Sequence, residues 1–279
     1  MLRWTCCLCT VHTLPEGPAV CGVTVLAGEV FLLRPKGERD QVEVYDVNNY
    51  GLQRCLTVPK LDRFADMTSC EKNLCIYIAD PVVECIHRLD SQGKAATQWP
   101  VYDTPWGLSV NTANNLLVTC WWVHKIKQYS SIGDLLREIT LPDDVITPHH
   151  AIQLTSGHFV VCHGGLRDPV HRVCMVSADG CQIVHSHGRQ RGSATDRCNV
   201  PRHLAVNSSK CVLVADFNNR RVKLLSPTLD YIGDVVTNDF LKWLPRRLCL
   251  DEQSHRLYVA DNEWKYGEWT AGRVVVLSV

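Results

Sequence analysis

Apolar and polar positions along this 279-residue chain fall into a unit that returns every 41 to 53 residues. Each unit opens after a turn with a short apolar run, continues with a second run that often ends in Ala-Asp, and follows with a third of alternating polarity. The clearest copies are Pro201-Arg202-His203-Leu204-Ala205-Val206 with Val212-Leu213-Val214-Ala215-Asp216, and Pro245-Arg246-Arg247-Leu248-Cys249-Leu250 with Arg256-Leu257-Tyr258-Val259-Ala260-Asp261. Aligned on the residue that opens the first run, the six copies start at Gly22, Asp66, Gly107, His150, His203 and Arg247. A proline stands two positions earlier in four of them, as Pro105, Pro148, Pro201 and Pro245. There it can shape the start of a strand without removing a ladder hydrogen bond.

Fourth runs, at 52–58, 96–101, 135–141, 182–187 and 231–236, complete five of the units. Four short strands per unit, separated by polar turns, predict propeller blades rather than a solenoid. The sixth unit stops at Val279 after three strands, and residues 7–14 have the outer-strand pattern that it lacks. The fold class expected is therefore all-β: a six-bladed β-propeller occupying 1–279 as one domain, with the N-terminal strand closing the last blade. Residues 235–244 are the best candidate for a short helical turn.

Two segments carry a family resemblance. The linker Gly188-Arg189-Gln190-Arg191-Gly192-Ser193, continuing to Pro201, resembles the glycine-rich linker of NHL repeats, as does Val214-Ala215-Asp216-x-x-Asn219-x-Arg221-Val222. The resemblance, to the C-terminal propellers of tripartite-motif (TRIM-NHL) proteins, covers nearly the whole chain. It is clearest in units 5 and 6 and weakest in units 1 and 3, where Cys120-Trp121-Trp122 replaces Ala-Asp. Those relatives are ubiquitin ligases by virtue of a RING and B-box. The tightly spaced Cys6-Cys7-x-Cys9, and Cys70 and Cys75 without a second pair, do not supply a zinc-finger pattern. The resemblance thus implies a substrate-recognition or adaptor module without ligase chemistry, with single-stranded RNA binding as an alternative seen in related propellers.

Formal charge is zero, so no global field draws the chain to nucleic acid or a membrane. No apolar stretch approaches the roughly 20 residues of a membrane span. The 15 cysteines mostly sit at strand positions as small apolar residues, which suits a reduced, cytoplasmic protein better than a disulfide-linked secreted one.

In a propeller, the linkers between blades share one face with the loops between second and third strands, and binding residues concentrate on such loops. That face is expected to carry 34–40, 80–82, 121–124, 163–170, 217–221 and 262–272. Its partner-binding candidates are Trp122, Arg167, His150, His203, Trp264, Tyr266 and Trp269, for a protein or peptide ligand. The aromatic loop 262–272 could equally fold back and plug the channel. For RNA, the candidates are Arg189, Arg191, Arg202, Arg220, Arg221 and Arg247, read against the alternative of scattered solvated arginines, with Arg221 and Arg256 partly packed in strands.

Seven of the 12 histidines lie in unit 4, and His150 and His203 match in adjacent units. The related peptidyl-hydroxyglycine lyases hold zinc with three histidines at this level. Here the other opening positions are Gly22, Asp66, Gly107 and Arg247, so neither a metal nor a cofactor is expected. A metal-dependent lyase or a lactonase-like hydrolase at the channel mouth is the enzymatic alternative. Asp80, Asp216 and Asp261 are expected to cap the turns that follow them.

Overall fold

A computed structural model describes residues 10–34, 41–58, 61, 64–94 and 96–279, and the side chains from residue 12 onward. Six antiparallel sheets of four strands form the ring of a six-bladed β-propeller. Blades 1 to 5 begin with the inner strands Gly22–Leu26, Asp66–Cys70, Pro105–Val110, Pro148–Gln153 and Pro201–Val206. Blade 6 contains Leu244–Asp251, Arg256–Lys265 and Glu268–Ser278, and Thr10–Gly17 is its outer strand. The expected closing strand is present, three residues later than the pattern placed it, and Cys6, Cys7 and Cys9 lie outside the described residues. Among the described residues no helix is long and apolar enough to cross a membrane.

Second and third strands are buried on both faces because each blade is pressed between two others. Their sequences are therefore nearly continuous apolar runs, such as Cys75–Asp80 and Val212–Asp216. Outer strands present one buried residue each near the end: Leu56, Trp99, Ile139, His187 and Val236. His187 thus occupies an apolar position, where its Nε2 lies 3.1 Å from the buried Lys223 Nζ. The helical turn expected at 235–244 is instead a hydrogen-bonded turn, with the Phe240 and Leu241 N–H groups both donating to Thr237 O. Among the described residues the only helix is a 3-10 turn, Phe217–Asn219. The aromatic segment 262–272 is not a loop. It extends the last hairpin, turning at Tyr266 and Gly267, both left-handed at φ 54° and 81°.

The strand-ending aspartates divide. Asp80 caps its own turn, accepting from the N–H groups of Val82 and Val83 at 3.0 and 3.4 Å. Asp216 and Asp261 reach the preceding inter-blade linker instead, accepting from Asn199 N–H (2.7 Å), and from Lys242 and Trp243 N–H (both 2.8 Å). Each also receives an arginine from its third strand, Arg221 and Arg273, at 2.8 and 2.9 Å. The arginine supplies a charge the linker alone cannot, so the carboxylate fastens one blade to the next.

Twelve cysteines lie among the described residues, all free and most buried. Burial pushes the Cys174 thiol up to about 12, so it packs as an uncharged apolar group.

Closure rests on buried polar contacts. Asn262 holds the Val20 backbone by both its groups, donating to O at 2.7 Å and accepting from N at 2.9 Å. Arg34, 1% exposed, pairs with Glu43 at 2.8 Å and donates to the carbonyls of Pro15, Pro18 and Gly272 at 2.7, 2.5 and 3.1 Å. Its guanidinium thereby joins blade 1 to both strands that close blade 6. Arg34→Met is expected to destabilise the protein by about 3 kcal/mol, since buried Glu43 loses its guanidinium contact and the carbonyls of Pro15, Pro18 and Gly272 lose a shared donor. Denaturant unfolding measures this, and a change within about 0.5 kcal/mol would contradict the role assigned to Arg34.

Candidate functional site

The inner strands of blades 3 to 6 each carry an irregularity at the proline: the register shifts between Pro105 and Gly107, Pro148 and His150, Pro201 and Leu204, and Pro245 and Arg247. A bulge re-aims side chains that would otherwise alternate. Two consecutive residues per blade consequently surround the axis, in two tiers. The lower tier is the aligned opening position. The upper tier is the residue just before it: Trp106, His149, Arg202 and Arg246 in those four blades. Gly107 is required where blades 3 and 4 approach, because a Cβ there would stand 2.3 Å from His149 O.

The lower tier is a hydrogen-bonded plate. Asp66 Oδ1 lies 2.5 Å from Arg247 Nε, and its Oδ2 accepts from Leu108 N–H at 2.8 Å. His150 donates through Nε2 to Leu108 O at 2.9 Å. His203 accepts from Leu248 N–H through Nδ1 at 3.3 Å, leaving Nε2 facing Asp66 Oδ2 at 3.9 Å. The two imidazoles stack with centroids 3.8 Å apart. Burial, together with Arg247, pushes the pKa of His150 down to about 4. Burial, with His150 and Arg247 adding to it, holds His203 well below the ordinary histidine value. Ligand atoms of Asp66, His150 and His203 lie within 4.8 Å of one another, a spacing a divalent cation could span. In this arrangement both Asp66 oxygens are already engaged, and Arg247 places a cation beside them.

Above the plate lies a cavity of about 630 Å³ on the face made by the inter-blade linkers and the second-to-third strand loops. That size suits a drug-sized ligand or a few residues of peptide. One wall is an aromatic ladder. Phe64 stacks on Trp106 (5.2 Å), Trp106 on Trp121 (4.8 Å), and Trp121 meets Trp122 at 4.3 Å. Phe217 and Trp264 stand among the other lining residues, with Arg202 lying 4.5 Å over the Phe217 ring. His149, 3% exposed, lies between the ladder and the arginines.

Of the expected partner-binding residues, Trp122, Arg167 and Trp264 line this cavity, and Trp122 is 66% exposed. His150 and His203 do not reach it. Both are buried and line a separate void of about 240 Å³ farther down the channel. Tyr266 projects from the hairpin tip, 99% exposed. Trp269 packs against Phe217 and under Arg246 rather than in the cavity. The arginines do not form one arc. Arg221 and Arg247 are buried in ion pairs, and Arg220 donates to the carbonyls of Leu241, Lys242 and Trp243. Arg189 and Arg191 are exposed, and Arg202 alone of the six lines the cavity.

Phe64, Trp106, His149 and Phe217 belong to the site and were not singled out from the sequence. Their signal was present for Trp106 and His149: both immediately follow a conspicuous proline in the repeat. A second unforeseen group is Cys85, His87 and Asp80. Here His87 Nε2 lies 3.3 Å from the Cys85 sulfur and 3.8 Å from Asp80. One ring nitrogen faces both partners, so there is no relay through the imidazole. Burial, aided by Asp80, pushes the thiol up to about 11, so it is not an activated nucleophile.

No protein-family model and no curated protein matches the sequence. Solved structures do resemble the fold. Virginiamycin B lyase from Staphylococcus aureus superposes with a TM-score of 0.64 at 9% identity, over 95% of this chain and 98% of that one. A protein of unknown function from Bacteroides thetaiotaomicron gives 0.68 at 11% identity, over 96% and 75%. Hydrazine synthase of Kuenenia stuttgartiensis gives 0.62 at 13%, over 94% and 97%. At such identities the likeness establishes the architecture alone.

Acid sensitivity follows from the buried histidines. Burial holds His150 and His187 at about 4 and His163 at about 3, with His149 and His203 also far down. All are neutral when folded but take up protons at about 6.5 once unfolded. Between pH 6.5 and 4 the unfolded chain binds more protons, so stability falls as pH falls, by up to about 1.4 kcal/mol per pH unit per histidine. Melting temperature is expected to drop steeply from pH 7 to 5, less so in His150→Gln. A flat profile would contradict this protonation scheme.

Proposed function

We propose that this propeller is a non-catalytic recognition module that engages a peptide segment of a partner protein through the aromatic cavity. The observation that carries the reading is the cavity itself: a concave, ligand-sized space walled by Phe64, Trp106, Trp121, Trp122, Phe217 and Trp264 and held by a rigid ring. Tryptophan-rich, partly exposed concave surfaces are where interface hot spots form. The adaptor role implied by the NHL-type resemblance agrees with this reading.

Enzymatic readings have less support from the residues. Some structural neighbours are enzymes, among them the virginiamycin B lyases, yet the likeness at 9% identity extends to fold only. Asp66, His150 and His203 could form a metal site only if Asp66 gave up its contacts with Arg247 and Leu108. The RNA reading loses its contiguous basic track, since Arg221 and Arg247 are committed to Asp216, Asp234 and Asp66.

Selection of a random peptide library on the intact protein tests the proposal. Selected peptides are expected to bind at least tenfold more weakly to the Trp122→Ala, Trp264→Ala double variant, measured by calorimetry. Equal binding to both proteins would overturn it. Salt-dependent retention of single-stranded RNA, lost on charge reversal at Arg189 and Arg191, would favour the nucleic-acid reading instead.

A further inference from the structure

The polar groups lining the cavity are unusually one-sided. Arg202 Nε and Trp121 Nε1 are buried with no hydrogen-bond partner among the described residues, and neither ring nitrogen of His149 makes a well-aligned one there, its nearest acceptor being the Gly164 backbone. Buried polar atoms are almost always paired, so several without partners around one cavity call for a ligand. Three of these groups can donate: the guanidinium, the indole and the neutral imidazole, which carries one N–H.

The charge balance runs the same way. Arg202 has no carboxylate and no hydrogen-bond acceptor among the described residues; its only specific contact is the Phe217 ring. Arg246 and Arg247 lie near enough to push its pKa down to about 9, after the larger effect of burial. At neutral pH it remains a cation. The one carboxylate of the plate, Asp66, is bonded to Arg247 and not to Arg202. Among the described residues the one acid that lines the cavity, Asp168, faces its own loop, accepting from Thr147 Oγ1 and from Gly165 N–H at 2.6 Å. A cation in the ligand would meet repulsion here, and an anion would meet donors.

On the reading of the cavity as a recognition site, we propose that its occupant is an organic carboxylate with a flat apolar body: the ring lies along the Trp106–Trp121–Trp122 ladder and the carboxylate reaches Arg202, with His149 and Trp121 as further donors. The cavity is closed below by the Asp66–Arg247 plate, so it receives an end rather than a strand running through. The C-terminal residue of a peptide, with an aromatic side chain and a free α-carboxylate, has this chemistry. A free aryl-alkyl carboxylate has it too. An N-terminal amine does not.

The probe is N-acetyl-Gly-Gly-(4-fluoro)phenylalanine as free acid and as C-terminal amide, with 3-(4-fluorophenyl)propionate as the small-molecule arm, each followed by fluorine NMR line broadening. The free acid is expected to bind roughly tenfold or more tightly than the amide, the margin of one charge-assisted hydrogen bond. Arg202→Gln should erase that preference and Arg202→Lys restore part of it. Binding of the propionate as tight as the peptide acid would assign the site to small carboxylates; weaker binding assigns it to chain ends. Because the only specific contact of Arg202 among the described residues is the Phe217 ring, the melting temperature of Arg202→Gln should change little, and a marked fall would make the residue structural and overturn the proposal. If acid and amide bind alike and Trp122→Ala weakens both, recognition by the cavity stands and the carboxylate assignment is wrong. If neither probe binds, or dodecauridylate displaces the acid from the wild-type protein, the assignment likewise fails.

Discussion

The Asp66–Arg247 pair is the contact around which the centre of this molecule is organised. It joins blade 2 to blade 6 across the channel, over the blade between them. Asp66 also takes the Leu108 amide of blade 3, whose carbonyl receives His150 of blade 4, and it faces His203 of blade 5. Five blades are thus tied at one level of the axis by a single carboxylate and its neighbours. A buried ion pair of this kind is weak evidence for stability in itself, because both charges are desolvated. Its consequence here is geometric: the channel is partitioned, and the space above becomes a cavity with a floor.

That floor separates two tiers of different chemistry. The histidines below are mutually stacked, and burial keeps them neutral, with Arg247 adding to it. The tier above combines stacked indoles with Arg202, which has no carboxylate partner among the described residues. Apolar walls raise the worth of any charge-assisted hydrogen bond formed between them, since water competes poorly there. Affinity and selectivity can therefore come from different groups, the walls supplying area and Arg202 supplying sign.

The architecture was legible in the sequence because propeller blades repeat the same burial problem six times. Period, strand order and the missing outer strand could be read from apolar runs alone. The hairpin at 262–272 was misread because its polar and aromatic residues look like loop chemistry, while the pairing is set by a Tyr266-Gly267 turn and by cross-strand tryptophans. The site was half legible. Trp122, Arg167, Trp264 and Arg202 stood out by residue type, but the bulges that bring His149 and Trp106 to the axis are backbone events marked only by a proline. Arg221 and Arg247 were misleading for a different reason. A sequence shows a charge but not its counter-charge, and theirs lie at Asp216 and Asp234, and at Asp66, brought near by folding.

The indole N–H resonances report most directly on whether this cavity is the recognition site. Titrating the protein with a library-selected peptide should shift the signals of Trp106, Trp121, Trp122 and Trp264 together and leave Trp99, packed between blades 2 and 3, unmoved. Shifts that spare those four while the peptide binds would contradict the account.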